Sequence, residues 1–547
     1  MLKWKKISAI LLCLCLLLTA AACNSNDSST PSSSQPSGNS ESGESGGNDE
    51  VNETALPITD EPVTFTMWKV WQNDYIESIN DIESIKKSAE ETGVTIIYNT
   101  VAATAAVEKF GMLLASGDYP DMIDHSETAV SYPGGGDKAI ADGVYLDMTS
   151  YVEQYMPNYS QLRLQDEELA KMTVTDSGKM WAIYMLRAQT DGALMAEPAW
   201  IGMVIRTDWL DDLGLNMPVT IDDWTTTLTA FKDEKGAEAP LMIGPKGFVI
   251  NDYFASAYGV KRDFYRDGAN VKYGPLENGY RQYIELMRQW YADGLIDQNF
   301  ISNTSEMIMT AEYGATGKSG AGTNMWGLSQ QYYLETGQTE DANIRFEAVA
   351  GPVLNVGEVC QSKFPSYIAT NQISVTSNCS NPEIVAKWMD YQYTVDGLIR
   401  NYYGIEGDTY EMADGKPVYT AKILEPEGNF TTGDMLAMNV RGDGVGLNAW
   451  DRWDQAYDHE KLKAREVWDA DGLGLVLPRI TMTDEEGLEY NNIFTDIKTY
   501  VEEKTVAYIM GTESMDTYDA FVQHIYDLNI EKCLEIQQAA LDRYNAR

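Results

Sequence analysis

The sequence has few residues of the types that build redox and metal sites. Among its 547 residues there are only 6 cysteines and 3 histidines, and no Cys-x-x-Cys or His-Glu-x-x-His motif occurs. Two of the cysteines lie in an N-terminal apolar segment, and Cys360, Cys379 and Cys533 are scattered along the chain. This number is too small for the disulfide framework of an exported protein of this size. We therefore expect no cofactor and no metal site.

Basic residues are also scarce. The chain has 40 lysines and arginines against 83 aspartates and glutamates, which gives a formal net charge of −43. Phosphate backbones and anionic lipid headgroups repel such a surface, so nucleic-acid binding and electrostatic membrane adhesion are excluded as general functions. The same charge disfavours a polyanionic ligand unless a local basic pocket overrides it.

Catalytic motifs are missing from the body of the chain. The one Gly-x-Ser-x-Gly match, Gly43 to Gly47, lies in a Ser/Gly-rich stretch with no strand before it and no helix after it. The segment Gly317-Lys318-Ser319 ends like a phosphate-binding loop but lacks that loop's first glycine. A glycosidase needs two nearby carboxylates, but with 83 acidic residues this criterion does not discriminate.

Residues 1–22 have the pattern of a bacterial signal peptide. Three lysines precede an apolar run, residues 7–18, that is too short to anchor the chain as a membrane span. Small residues, 19–22, then lead to Cys23 and resemble a lipobox, in which the cysteine is acylated, although Ala20 stands where leucine is common. The same alanines also fit an ordinary Ala-x-Ala cleavage site, so secretion without a lipid is the alternative.

Residues 23–58 are predicted to be a lipidated cysteine followed by a flexible tether. The stretch consists largely of Ser, Gly, Asn and Glu, and it cannot bury enough apolar surface to offset the entropy of ordering. A lipid, a tether and a long globular body place the protein on the extracellular face of the cell membrane, as on a Gram-positive-type cell surface.

The globular body begins with alternating strands and helices. Strands are predicted at Val63 to Trp68, Val94 to Val101 and Met122 to Asp124, with helices at Ile76 to Thr92 and Ala105 to Ser116. Gly93 and Gly117 are the predicted stops of these helices, and N-caps are predicted at Thr104 and, farther along the chain, at Thr220 with Asp223 in the first turn. Such a βαβαβ start indicates an α/β fold with a parallel sheet and right-handed crossovers. Ligands of these sheets lie beyond the carboxyl ends of the strands.

Several segments resemble motifs of family 1 extracellular solute-binding proteins of ABC importers, in particular the large lipoprotein subgroup. They are residues 113–121 (LLASGDYPD), 143–149 (GVYLDMT), 178–183 (GKMWAI), 206–215 (RTDWLDDLGL), 404–410 (GIEGDTY) and 537–544 (QQAALDRY). The resemblance implies a two-lobed periplasmic-binding-protein-like clamp, with a hinge between lobes that each contain a mostly parallel sheet flanked by helices. We assign residues 59–187 and 365–400 to lobe 1, and residues 188–364 and 401–547 to lobe 2.

One loop departs from the family. Many relatives carry a "DxNGxGxxDEIP" segment that looks able to bind calcium through oxygen ligands. Here the corresponding residues, 232–240 (KDEKGAEAP), are fewer and have lost most of the ligand spacing. We therefore expect no calcium at this loop.

Tryptophans near polar residues are the candidate ligand contacts. Sugar rings have apolar faces that stack on aromatic side chains, while their hydroxyls need polar partners. We favour ligand contact for Trp68 in lobe 1 and for Trp326 and Trp450 in lobe 2, whereas Trp209 and Trp290 are expected in the core. The full set of candidates is Trp68, Trp71, Asn73, Asp74, His125, Ser126, Trp181, Tyr184, Trp326, Asn448, Trp450 and Arg452.

The resemblance implies a binding protein and not an enzyme. The expected partners are an oligosaccharide, the permease subunits of an ABC importer, and the membrane through the lipid on Cys23, with the protein itself a monomer. The alternatives are a secreted polysaccharide-active enzyme, which would release cleavage products, and a glycan-binding surface adhesin, which would have no hinge.

Overall fold

A computed structural model describes most of the chain after the tether. It covers residues 55–125, 131–244, 248–303, 313–314, 316–325, 343–363, 367–428, 430–440, 444–456 and 459–547. The predicted signal peptide, Cys23, most of the tether, Ser126 and Trp326 lie outside these residues. The described part divides into two compact units, the N-terminal unit (residues 55–196 and 367–455) and the C-terminal unit (residues 197–366 and 456–547).

Thirteen strands are present among the described residues. They are β1 (Val63–Val70), β2 (Val94–Val101), β3 (Met122–Asp124), β4 (Ile183–Ala188), β5 (Ile201–Arg206), β6 (Phe264–Asp267), β7 (Asn270–Tyr273), β8 (Ala321–Met325), β9 (Phe346–Ala348), β10 (Ala369–Val375), β11 (Tyr410–Ala413), β12 (Lys416–Tyr419) and β13 (Leu447–Ala449).

The α-helices are numbered in the same way. They are α1 (Glu83–Thr92), α2 (Ala106–Ser116), α3 (Gly135–Ala141), α4 (Thr149–Tyr155), α5 (Pro157–Arg163), α6 (Glu167–Met172), α7 (Thr207–Leu213), α8 (Ile221–Lys235), α9 (Phe248–Ala257), α10 (Asn278–Ala292), α11 (Pro382–Tyr391), α12 (Val395–Tyr402), α13 (Ala421–Leu424), α14 (Thr432–Asn439), α15 (Trp453–Ala456), α16 (His459–Asp469), α17 (Asp484–Ile509), α18 (Tyr518–Asp527) and α19 (Ile530–Ala546). None of the described helices is long and apolar enough to cross a membrane.

The N-terminal unit is built on one six-stranded sheet in the order β13-β4-β10-β3-β1-β2. The pairs β1–β2, β1–β3 and β4–β13 are parallel, whereas β10 is antiparallel to both β3 and β4. Five strands therefore run in one direction, and their carboxyl ends meet at one edge of the sheet. This confirms the predicted βαβαβ start and the mostly parallel sheet for this unit.

Alternation along β1 places the two faces of this sheet in different cores. Phe65 and Met67 are buried in a large cluster on one face, whereas Trp68 and Val70 belong to a smaller cluster with Phe110 on the other. Successive side chains of a strand point to opposite faces, which accounts for the division. A strand buried on both faces is typical of a parallel sheet covered by helices.

Both helices predicted between the first three strands begin later than expected. A 3₁₀ turn, Ile79–Asp81, precedes α1, because Ile82 has an extended backbone with ψ 123°. Thr104 lies inside a second 3₁₀ turn, Ala103–Ala105, and is not the N-cap of α2. The predicted stops are confirmed, since both helices end at a glycine in the left-handed conformation, Gly93 at φ 73° and Gly117 at φ 69°.

The described sheet of the C-terminal unit has three strands in the order β8-β5-β9, and both pairings are antiparallel. The expectation of a mostly parallel sheet is corrected here. Parallel pairing among the described residues of this unit is confined to single bridges, such as Leu241 with Ala321 and Thr220 with Val353. Neighbouring segments meet at only one residue pair there, too few to form a ladder.

Helices α8 and α10 supply much of the core of the C-terminal unit. Thr220 caps α8 in a capping box with Asp223, as the sequence predicted. Trp290, on the predicted apolar stripe of α10, is fully buried. The stretch expected to bind no calcium forms the last turn of α8 and its left-handed cap, Gly236.

The chain passes between the units later than predicted. The sequence placed residues 401–455 in the second lobe, but they belong to the N-terminal unit, and the chain leaves that unit only after residue 455. The reason is β13, which pairs with β4 at the edge of the six-stranded sheet and lies against α12. The first two crossings fall after residues 196 and 366, close to the predicted boundaries.

Candidate ligand-binding site

Several candidate site residues of the N-terminal unit lie at the carboxyl edge of its sheet. The segment starting at Trp71 follows β1, His125 follows β3, Thr190 follows β4 and Trp450 follows β13. Because these strands are mutually parallel, their ends present side chains along one edge. Trp450 therefore lies in the same unit as Trp68, and its assignment to the opposite lobe is corrected.

The loop after β1 encloses a pocket. The cavity has a volume of about 380 Å³ and is lined by Trp71, Gln72, Asn73, Asp74, Tyr75, Ile76, Glu77 and Thr100. The backbone N–H of Trp71 donates to the carbonyl of Val101 (2.9 Å), which extends the β1–β2 ladder into the loop. Asn73 Oδ1 accepts hydrogen bonds from the N–H groups of Tyr75 (2.7 Å) and Ile76 (3.1 Å). Asn73 thus fixes the shape of the loop that lines the pocket.

An exposed aromatic pair stands beside this pocket. Tyr75 is 45 % exposed and Phe430 is 42 % exposed, and their rings meet edge to face with centroids 5.2 Å apart. Partial burial and the negative charge of the neighbouring Asp434 carboxylate raise the pKa of Tyr75. Asp434 itself is fixed by hydrogen bonds from the backbone and the hydroxyl of Thr431, each 2.8 Å long. Two exposed aromatic rings held side by side can receive the apolar face of a sugar.

A buried ion pair lies beneath the same edge. Lys69 Nζ is 2.7 Å from Asp124 Oδ2, and both side chains are almost completely buried. Lys69 is on β1 and Asp124 on β3, which are adjacent strands. Two charges removed from water are retained only when they are paired, so this contact fixes the ends of the two strands relative to each other.

The end of β13 carries a cationic cluster around Trp450. The Arg187 guanidinium lies over the Trp450 ring, 4.5 Å from its centroid, and Trp450 is half-buried. Within the described part of the chain, the indole Nε1 of Trp450 has no hydrogen-bond partner. That nitrogen is itself buried, so the accessible part of Trp450 is its ring, which is suited to stacking on the apolar face of a sugar.

Asn448 and Arg452, by contrast, are used within the protein. Arg452 Nη1 donates to Asn448 Oδ1 (2.8 Å), and the guanidinium lies over the rings of Tyr402 and Trp453 at 4.4 and 4.5 Å. Both side chains are buried. Their arrangement supports the loop that presents Trp450.

The loops after β4 and β13 are also joined directly. Asp451 Oδ1 accepts hydrogen bonds from the backbone N–H (2.9 Å) and the hydroxyl (2.7 Å) of Thr190. The Thr190 hydroxyl is in turn 2.9 Å from that of Tyr403. These hydrogen bonds fix the residue that follows Trp450, Asp451, to the loop after β4.

His125 and Trp181 belong to one aromatic cluster. The His125 ring lies 5.4 Å from Trp181 and 5.7 Å from Tyr145, and its Nε2 is 3.0 Å from Ser374 Oγ. Trp181 stacks on Tyr145 and packs directly on Gly136, where an added Cβ would lie 2.3 Å from the indole. His125 is buried and Trp181 half-buried, so Trp181 is the member of the cluster that a ligand can reach.

Two further candidates lie inside cores. Trp68 is 5 % exposed and packs on Phe110 with ring centroids 5.6 Å apart. Tyr184 is 8 % exposed in the large cluster, and its backbone carbonyl accepts a hydrogen bond from the hydroxyl of Tyr393. The structure thus brings Trp71, Asn73 and Asp74 to the pocket, whereas Trp68 and Tyr184 are buried in two different core clusters.

The sequence did not single out four of these residues, namely Lys69, Tyr75, Arg187 and Phe430. Tyr75 directly follows the highlighted Asn73 and Asp74, so the polar-aromatic run was a usable signal. Phe430 comes from a segment far along the chain, and only the fold brings it to Tyr75.

A comparison of the sequence with known families agrees with the fold. Residues 78–398 match the profile described as bacterial extracellular solute-binding protein. The chain belongs to this family. The match confirms the resemblance noted from the sequence motifs. Since the family consists of solute-binding proteins, it also confirms the expectation that the chain is not an enzyme.

Individual relatives are distant. The chain is 23 % identical over 492 residues to the fructooligosaccharide ABC transporter substrate-binding protein FusA of Streptococcus pneumoniae. This alignment covers 84 % of the present chain and 87 % of FusA. It is 24 % identical over 351 residues to lipoprotein LipO of Bacillus subtilis, covering 61 % of this chain and 64 % of LipO. The alignment with LipO thus spans slightly less than two thirds of that relative.

Solved structures of similar fold cover nearly the whole chain. The HMO-binding ABC-transporter-associated solute-binding protein of Bifidobacterium longum infantis superposes with a TM-score of 0.70 at 19 % identity, over 89 % of this chain and 99 % of that one. The kestose complex of Streptococcus pneumoniae FusA gives a TM-score of 0.65 at 18 % identity, over 88 % of this chain and 100 % of the FusA chain. At these identities the likeness concerns the fold, and it confirms the two-lobed α/β fold class.

Proposed function

We propose that the protein is the substrate-binding component of an ABC importer and captures an oligosaccharide at the carboxyl edge of the N-terminal unit's sheet. The observation that carries the proposal is the set of accessible aromatics at this edge, Trp71, Tyr75 and Trp450, of which Trp71 and Tyr75 line a pocket of about 380 Å³. Aromatic faces next to hydrogen-bonding groups suit sugar rings. The name of the relative FusA, a fructooligosaccharide-binding protein, supports the same ligand class.

The experiment is a thermal-shift screen of the protein without its first 54 residues against a broad panel of oligosaccharides. A ligand that binds only the folded state raises the melting temperature with its concentration. We expect at least one oligosaccharide to do so, with dissociation constants then measured by calorimetry. A panel without any shift would remove the sugar assignment and make peptides the next class to test.

We further propose that binding closes a hinge between the two units. The chain crosses between them three times, after residues 196, 366 and 455, as a hinged clamp requires. Small-angle scattering should give a smaller radius of gyration when the saturating oligosaccharide is added. An unchanged radius would instead support a rigid glycan-binding adhesin.

We also propose that Cys23 carries a lipid that holds the protein on the extracellular face of the membrane, near the permease. The small residues before Cys23 and the tether after it support this anchor. The Cys23→Ser variant should be released into the medium or remain unprocessed. Membrane retention and processing like those of the unmodified protein would refute the lipid and favour plain secretion.

A further inference from the structure

The pocket of residues 71–77 has an asymmetric charge. Two carboxylates, Asp74 and Glu77, line it, and both residues are exposed. No lysine or arginine is found among its lining residues, all of which are described. A third carboxylate, Asp434, lies near Tyr75, and partial burial together with the negative charge of this carboxylate raises the pKa of that phenol. A ligand group entering here therefore meets negatively charged acceptors, and none of the described lining residues supplies a positive charge.

Cations do lie at the same edge of the sheet, but the protein already uses them. Lys69 is buried and paired with Asp124 at 2.7 Å. Arg452 is buried and bound to Asn448. Arg187 lies over the Trp450 ring at the same edge. None of these three cations lines the pocket that holds Asp74 and Glu77.

We infer that this pocket is a subsite for an uncharged sugar residue and that Asp74 and Glu77 exclude a uronic acid there. An ionised carboxylate is purely an acceptor, so it can receive hydrogen bonds from sugar hydroxyls but not pair with a sugar carboxylate. Placing like charges together in a binding pocket is a direct way to reject a competing ligand. Tyr75, with Phe430 against its edge, forms the stacking wall of this subsite. The inference rests on the proposed oligosaccharide-binding function.

The test compares one oligosaccharide in two charge states. The tightest-binding member of the panel is used as it is and after oxidation of its primary hydroxyls to carboxylates, and both dissociation constants are measured by calorimetry at low salt. We expect the uncharged form to bind at least about tenfold more tightly. In the Asp74→Asn/Glu77→Gln double variant, that ratio should shrink by about threefold or more. Glu411→Gln, an exposed carboxylate on the β11–β12 hairpin, is the matched control and should leave the ratio unchanged.

The outcomes separate the inference from the function it rests on. If no oligosaccharide of either kind binds, the proposed function itself is wrong, and the inferred subsite is refuted as well. If the tightest binder is a uronic oligosaccharide, or if the oxidised form binds as well as the uncharged one, the function stands and the inference is overturned. An unchanged ratio in the double variant also overturns it, because the selectivity would then arise elsewhere.

Discussion

The ammonium group of Lys69 lies 2.7 Å from the Asp124 carboxylate, and the two side chains are 2 % and 1 % exposed. Removing one partner of such a buried pair leaves an uncompensated charge, so Lys69→Met should lower the free energy of unfolding by about 3–5 kcal/mol. Denaturant unfolding measures this. Lys86→Met, which breaks an exposed pair with Glu83, is the control and should unfold like the unmodified protein.

A second variant checks the reason for that loss. Replacing both partners, as in Lys69→Met/Asp124→Leu, removes the buried charge altogether and should restore much of the stability. If Lys69→Met alone is as stable as the unmodified protein, the pair does not hold the ends of β1 and β3 together.

Trp68→Ala should lower the free energy of unfolding and leave the affinity for the oligosaccharide unchanged. Trp68 is 5 % exposed and packs on Phe110, so truncation leaves a large cavity and is expected to cost about 3–5 kcal/mol of stability. Trp68→Phe keeps most of the volume and should lose much less. The measurements are denaturant unfolding and oligosaccharide affinity of the folded fraction. A stable Trp68→Ala variant with weakened affinity would place Trp68 in the ligand site after all.

Two glycines give opposite predictions when changed to alanine. At Gly136 a Cβ would lie 2.3 Å from the Trp181 ring, so Gly136→Ala must displace the indole at an expected cost of about 1–3 kcal/mol. Gly111 lies within α2, and a Cβ added there would meet no atom within 4 Å. Gly111→Ala should therefore stabilise by about 0.5–1 kcal/mol. Equal effects in thermal unfolding would contradict the close packing of Trp181.

Stability should depend on pH through Asp390. Burial raises the pKa of this carboxyl group to about 6, despite hydrogen bonds from Asn158 and from the backbone of Tyr159 at the start of α5. With a pKa raised from 3.8, the folded state binds the proton more tightly than the unfolded state. This contribution to stability is present at low pH and is lost as the pH rises from about 4 to about 6.

The Asp390→Asn variant isolates this contribution. As the pH rises from about 4 to about 6, the unmodified protein loses the contribution of Asp390 and the variant does not. The unfolding free energy of the variant should therefore rise by roughly 2 kcal/mol relative to that of the unmodified protein. Parallel stability profiles across this range would show that Asp390 does not titrate in the folded protein with a raised pKa.

Features governed by neighbouring residues could be predicted from the sequence. The helix stops at Gly93 and Gly117 and the capping box at Thr220 depend on local backbone geometry, and the structure has all three. Thr104 was misplaced as an N-cap, because a 3₁₀ turn moved the start of the helix past it. Local signals thus fix the type of an element better than its first residue.

Features that depend on distant segments could not be predicted. Strand β13 has only three residues, too short for an alternating pattern, and pairing with β4 is what keeps residues 401–455 in the N-terminal unit. The contact of Tyr75 with Phe430 likewise joins two loops that no periodicity connects. Trp68 was expected at the ligand because it ends a predicted strand, but β1 continues to Val70 and buries it.

Trp450 offers the most direct test of oligosaccharide capture at the carboxyl edge of this sheet. The measurement is calorimetric affinity for the best oligosaccharide of the panel, with ligand-free melting of each variant recorded alongside. We expect Trp450→Ala to melt close to the unmodified protein and to lose about thirtyfold in affinity, near 2 kcal/mol. Tyr526→Ala, an exposed aromatic on α18 of the C-terminal unit, should change neither quantity. Unchanged affinity in folded Trp450→Ala would contradict the site.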